Sequence, residues 1–273
     1  MRNASKGMWV ALVAAAVTTL PGAAQEQNAP KPAARVGGEP NFNGVWQAMN
    51  TANWNLEAHS AAQIKPFWQL GSLAAIPAGQ SVITSPANGK IPYLPEAVGK
   101  RDENRKSWPE ADPETKCYLP GVPRATYMPF PFHIIQGGGG TDILFAYEYT
   151  SANRIVFMSN HQDPPVDTWM GWSNGDWDGD TLVIETTGFN DSTWLDRAGN
   201  HHSSALKVTE RFTLTDADHI QYEATLEDPN VYSEPWTISM PLYRHVEPNA
   251  EILEFKCVPF VEDLLYHDLE LSE

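Results

Sequence analysis

From Phe132 to Arg244 the chain alternates apolar and polar residues in short runs, each bounded by turn residues. A period of two predicts strands with one buried and one exposed face, not helices. The predicted strands are Phe132–Gln136, Asp142–Glu148, Arg154–Met158, Gly171–Trp177, Thr181–Thr187, Leu206–Thr215, His219–Leu226, Trp236–Arg244 and Glu251–Cys257, with an earlier strand around Val45–Trp46. Asp178-Gly179 is the strongest hairpin signal, because both central residues of a type I′ turn take positive φ. Short connections between so many strands predict an all-β fold: an antiparallel meander, closed or nearly closed, of about 8–10 strands.

The remaining segments lack that alternation. Arg2 and Lys6, an apolar run from Met8 to Leu20 and small residues up to Ala24 make 1–24 a signal peptide, and the run is too short to span a bilayer comfortably. Residues 25–40, rich in Ala, Pro and Gly, read as a disordered lead-in to one domain over 41–273. Asn53–Gln69 is a candidate helix interrupted by Pro66. Residues 71–123 read as a long irregular insertion covering the sheet, with a short helix near Pro95–Asn104, and Val261–Leu269 as a C-terminal helix or tail.

Alternation also assigns faces. In Leu206–Thr215 it sets Leu206, Val208, Phe212 and Leu214 on one side, and Glu210 among them. A carboxylate turned toward a core is costly unless paired, protonated or used. Two readings follow. Glu210 is locked in an internal salt bridge, with Arg244 or Arg154 as candidates, or it is a general acid or base with a raised pKa. The preceding loop carries Asn190, Asp191, Asp196, His201 and His202, and Glu185 lies on the strand before it. The chemical reading takes Glu210 and His202 as an acid–base pair, with Asp196 orienting the histidine and Glu185 as a further carboxylate. Trp177, Trp194 and Trp172 then wall a pocket, joined by His133, Tyr222 and Asn190. His133 reads first as a satisfied core histidine, and it points into the barrel pocket if Phe132 and Ile134 face outward.

Composition narrows the partners. The formal net charge of −16 becomes −18 once Arg2 and Lys6 leave with the signal, which disfavours nucleic acid and anionic membranes. Ten Trp, nine Tyr and ten Phe suit a pocket for a small hydrophobic or aromatic molecule as well as a plain core. Cys117 and Cys257 form a disulfide in an oxidising compartment or remain two buried thiols. His161, Asp163, His201 and Asp196 are metal donors in type, but none has metal-site spacing, so no metal is expected. No G-x-S-x-G elbow, P-loop or dinucleotide fingerprint is present, so no cofactor is expected.

Two resemblances add to this. Phe42-Asn43-Gly44-Val45-Trp46 resembles the G-x-W first strand of lipocalin-type barrels, where a Trp plugs the closed end, and implies a lipocalin-like barrel. Separately, C-Y-L-P-G-V-P-R (117–124), W-x-G-D-T-L-V-I-E-T-x-G-F-N-D (177–191), T-W-L-D-R-A-G (193–199), H-S-x-A-L-x-V-T-E-R-F (202–212) and D-P-x-x-Y-x-x-P-W-T (228–237) resemble motifs of a large family of exported bacterial proteins. The likeness implies export to the periplasm or medium and carries over no reaction. Where that family tends to read G-H-S-x-G-H-W-E, this chain has Gly171-Trp172-Ser173-Asn174-Gly175-Asp176-Trp177-Asp178, losing two histidines, and it has His133 where Gln is usual. The expectation is an exported enzyme doing cofactor-independent lyase, isomerase or hydrolase chemistry on a small hydrophobic or aromatic compound. The alternative is a lipocalin-like carrier of such a molecule, with Glu210 neutralised by an internal Arg.

Overall fold

The computed structural model describes residues 34–64 and 75–256. The expected signal peptide, the bulk of the lead-in, the end of the candidate helix Asn53–Gln69, Cys257 with its expected bridge, and the C-terminal helix or tail lie outside the described residues.

The short strands β1 (Arg35–Val36) and β2 (Glu39–Pro40) pair with each other. They replace the expected disordered lead-in there. Gly37 and Gly38, at φ of 63° and 97°, make the tight turn. The Gln136 side chain then fixes the exit, donating to the Pro40 carbonyl and accepting from the Phe42 N–H.

A separate ten-stranded sheet contains β3 (Gly44–Ala48), β6 (Ile83–Ser85), β7 (Phe132–Ile135), β8 (Ile143–Tyr147), β9 (Asn153–Phe157), β10 (Trp172–Asp178), β11 (Thr181–Thr187), β12 (Lys207–Leu214), β13 (His219–Glu227) and β14 (Trp236–Arg244). A minor pair, β4 (Ala62–Gln63) with β5 (Ala75–Ile76), stands apart. Nine strands close on themselves in the order β3-β7-β8-β9-β10-β11-β12-β13-β14, with β14 returning to β3, and β6 adds to β14 outside the ring. This is a closed, nine-stranded, lipocalin-like barrel. Closure removes the sheet edges that an open meander leaves unpaired.

One expectation fails here. The barrel is mixed, because β9 and β10 are parallel, pairing Val156 with Ser173 and Phe157 with Asn174. Residues 158–171 must therefore run back along the outside before β10 begins. Gly175 permits the close pairing, since a side chain there would meet Val156 Cγ1 and Met158 Sδ at 2.6 Å.

Inward positions alternate as the sequence predicts. Val208, Glu210 and Phe212 of β12, Ile220, Tyr222, Ala224 and Leu226 of β13, and Trp236, Ile238, Met240 and Leu242 of β14 are all buried. The short turns β7–β8, β10–β11 and β12–β13 gather at one end. There Trp46 donates its indole N–H to the Phe42 carbonyl at 2.8 Å, and the Arg244 guanidinium lies 4.1 Å from the Trp46 ring centre.

Long connections leave the other end and cap it. Helix α1 (Val98–Lys106) and the single turn α2 (Arg124–Tyr127) belong to this cap. Beneath it, Arg124 binds Asp112 through two nitrogens at 3.0 and 3.1 Å and Glu114 at 2.5 Å, while Arg197 grips Glu114 at 2.6 and 2.8 Å. Burial opposes ionisation of Glu114, but the two guanidinium groups outweigh it and hold the carboxyl at about 2. This network joins the insertion to the loop 188–206. No helix forms within Asn53–Ile64. Trp54 and Asn55 donate backbone N–H groups to Thr51, and the Asn55 side chain closes a further turn on Glu57. Residues 251–256 form no strand either, because β14 already has β13 on one side and β3 and β6 on the other.

Candidate functional site

The inward face of the barrel carries a polar layer that crosses five successive strands. Arg154 on β9, Ser173 on β10, Thr186 on β11, Glu210 on β12 and Tyr222 on β13 are each almost fully buried. Arg154 donates Nη2–H to Glu210 Oε2 and, at 3.2 Å, to Thr186 Oγ1, while its Nε–H reaches Ser173 Oγ at 2.8 Å. Ser173 and Thr186 share a hydrogen bond of 2.9 Å. Tyr222 donates its hydroxyl to Glu210 Oε1 at 2.8 Å.

The salt bridge that the sequence offered as one of two readings is therefore formed, with Arg154 as the partner. Arg244 is engaged instead at the opposite end, with the Ala217 and Asn43 carbonyls. Burial alone would lower the Arg154 pKa, and the charge of Glu210 outweighs it, leaving Arg154 above its ordinary value. Tyr222 and Tyr147 are pushed up by burial first and by Glu210 as well, so both phenols stay protonated. Three further buried polar groups border this layer, with the Tyr147 hydroxyl set against both the Arg154 guanidinium and the Thr126 hydroxyl.

The other expected acid–base residues do not join Glu210. His202 is buried in the loop 188–206, where its Nδ1–H donates to the Ser203 carbonyl at 2.8 Å and its Nε2 accepts from Thr193 Oγ1 at 2.5 Å. Both ring nitrogens are spent, and the Glu210–His202 pair is not formed. Burial lowers the His202 pKa to about 4, so the ring is neutral near pH 7. Asp196 does not orient the histidine. It accepts from the backbone N–H groups of Leu56, Ala198 and Asn200 and from the Asn200 side chain at 2.6 Å. Burial raises its pKa to about 6 despite those donors. Asp196 thus ties two loops together.

Glu185 is exposed on the outer face and lies 3.7 Å from Lys207. His133 does not enter the barrel, since Phe132 and Ile134 take the inward positions of β7. Asn190 closes a local turn, accepting from Ser192 N–H. Trp194 is buried in the cap, and Trp177 packs against Phe42 with ring centres 6.0 Å apart. Of the expected site, the structure brings together Glu210 and Tyr222. It adds Arg154, Ser173, Thr186, Tyr147 and Thr126. Alternation along β9 does set Arg154 on the same side as Val156, which was the available signal.

A second feature lies outside the barrel, where residues 168–172 leave β9's outer face uncovered. A cavity of about 370 Å³ there is lined chiefly by Leu119, Ile155, Phe157, Trp169, Met170 and Trp172. Tyr118 stacks on Trp169 with centres 4.9 Å apart and planes 8° apart, and Trp172 stacks on Phe157 at 6.2 Å and 11°. Trp172, expected as a pocket residue, belongs to this groove. Among the described residues no three of His, Cys, Asp and Glu gather as metal ligands, and no helix is long and apolar enough to cross a membrane.

Fold and site together define a class: a closed β-barrel with an ion pair inside and an aromatic groove outside. Comparison with protein-family models, curated proteins and solved structures returns no match.

Proposed function

We propose that this protein binds a small, largely apolar or aromatic molecule without transforming it, and that the ligand lies in the groove of Trp169, Trp172, Phe157 and Ile155. The observation that carries the reading is the pairing of Glu210 with Arg154. The carboxyl that would have done acid–base chemistry is taken up by Arg154 and Tyr222 and has no histidine to exchange a proton with. The groove supplies what a ring-bearing ligand needs, namely flat aromatic faces beside aliphatic side chains in about 370 Å³.

The test is a titration of tryptophan fluorescence with one- and two-ring hydrocarbons and phenols, followed by extraction of the ligand. Saturable quenching with the ligand recovered intact, weakened about tenfold or more by Trp169→Ala or Trp172→Ala, is the expected result. Consumption of the ligand, or quenching that the two substitutions leave unchanged, would overturn it.

The acid–base enzyme remains a second reading on one observation: the Glu210 carboxyl is buried inside the barrel beside the Tyr222 and Tyr147 hydroxyls. A reaction centred there would be abolished by Glu210→Gln in a folded protein. Export to the periplasm or medium rests on residues 1–24. N-terminal sequencing of protein recovered from a bacterial host should begin at Gln25.

A further inference from the structure

A second cavity, of about 220 Å³, opens in the cap and is separate from both the ion pair and the β9 groove. Four stretches of chain converge on it: Trp54 from the turn after β3 with His59 beyond it, Ile76 of β5, Arg105 and Trp108 from the end of α1 and the residue pair after it, and Arg197 with Ala198 from the loop 188–206. Trp54 and Trp108 meet edge to face, with centres 5.9 Å apart and planes at 62°. Arg197 lies over Trp54 at 4.3 Å and is pinned from behind by Glu114, which takes its Nε–H and Nη2–H and leaves Nη1. The Arg105 side chain makes no hydrogen bond among the described residues.

Two polar atoms of the lining are buried and unpartnered, Trp108 Nε1–H and His59 Nε2. His59 donates Nδ1–H to the Glu57 carbonyl at 2.8 Å, which fixes its tautomer. No carboxylate among the described residues lines the cavity. That is unusual on a chain with a formal charge of −16. The lining thus offers two guanidinium groups, Arg197 shared with Glu114 behind it and Arg105 open to solvent.

We infer that this cavity binds a small aromatic carboxylate, its ring against Trp54 and Trp108 and its carboxylate on Arg105, Arg197 Nη1 and the Trp108 N–H. Size agrees, since about 150 Å³ holds a benzene ring and the remainder admits one carboxylate. Chemistry agrees as well, because a planar guanidinium recognises a carboxylate by charge and hydrogen bonding together. The two arginines differ in role. Arg197 is fixed by the network beneath it, and Arg105 is the exposed group that completes the site on binding.

The probe is benzoate, with benzyl alcohol and acetate as the uncharged and ringless controls, followed by nitrogen–proton correlation spectra of the indole groups. Trp108→Phe keeps an aromatic wall, removes the donor and identifies the Trp108 signal. Benzoate should shift that signal saturably and bind at least about tenfold more tightly than either control, as expected for a charge-assisted hydrogen bond. Arg105→Gln, at an exposed position that folding does not depend on, should weaken benzoate about tenfold and leave benzyl alcohol unchanged. The proposal is overturned if benzoate leaves the Trp108 signal in place up to its solubility limit, if benzyl alcohol binds equally well, or if Arg105→Gln has no effect. Signals of Trp169 and Trp172 report the β9 groove in the same spectra, so the two sites succeed or fail separately.

Discussion

Replacing Glu210 with Gln keeps the shape of the side chain and removes its charge, so the substitution isolates the ion pair. Arg154 would then remain buried with only neutral partners, Ser173, Thr186 and the new amide. Taking one partner from a buried pair destabilises by about 3–5 kcal/mol, because an uncompensated charge stays behind. For a domain of this size, that corresponds to a fall in Tm of roughly 6–20 °C. Tyr222→Phe deletes one neutral donor to the same carboxylate and should cost about 1–2 kcal/mol. The double variant Glu210→Leu with Arg154→Met removes both charges, and Ser173 and Thr186 can still satisfy each other. It should recover most of the loss, as paired removal of buried charges does elsewhere. Urea unfolding of the parent, Glu210→Leu, Arg154→Met and the double variant forms the required cycle. A Glu210→Gln protein within about 1 kcal/mol of the parent would show that the pair carries little of the assumed electrostatic energy, and the argument from burial would fail.

Other expectations concern pH, the closed end and the cysteines. His202 is held near 4, below its ordinary 6.5, so it contributes stability that is fully present above pH 6.5 and lost as pH falls toward 4. The shift amounts to about 3 kcal/mol, and comparing urea midpoints of the parent and His202→Gln at pH 7 and 4.5 should reveal it as a shallower acid loss in the variant. Asp196 works in the opposite sense: with its pKa raised from 3.8 to about 6, its contribution is full below 3.8 and lost as pH rises through about 6. Direct titration of the Asp196 carboxyl by carbon-detected NMR should find a midpoint near 6. Gly44 sits at φ 137°, where a Cβ would lie 2.1 Å from Arg244 Nη1. Gly44→Ala should therefore destabilise by about 2–4 kcal/mol, seen as a lower denaturant midpoint. A Cys117–Cys257 bridge would close about 140 residues and add up to about 5 kcal/mol, and peptide mapping without reductant should recover the linked pair.

Alternation was a good guide to which way side chains face. It placed Glu210 and Tyr222 inside and bounded eight strands to within a residue or two. It says nothing of which strands are neighbours. Arg154 and Glu210 are 56 positions apart in sequence, on strands with β10 and β11 between them, and their contact follows from a strand order that alternation does not give. His202 misled for a related reason. Its nearness to Glu210 along the chain suggested a shared site, whereas the loop folds the ring onto Thr193 and Ser203 before the strand begins. His133 faced the wrong way because one residue of register decides the side, and the run Phe132-His133-Ile134-Ile135 is apolar at both parities. The cavity between Trp54, Trp108 and Arg197 was invisible for want of any periodic signal, since it is assembled from irregular chain.

The ring is sealed by pairing residues 46–48 with residues 242–244. A growing or translocating polypeptide therefore holds two raw margins, β3 and β13, until its last strand arrives. Any stop or cut between β13 and β14 leaves the two margins facing solvent together, ready to recruit strands from other molecules. Shortened chains ending near residue 230 should for that reason precipitate instead of forming a smaller barrel.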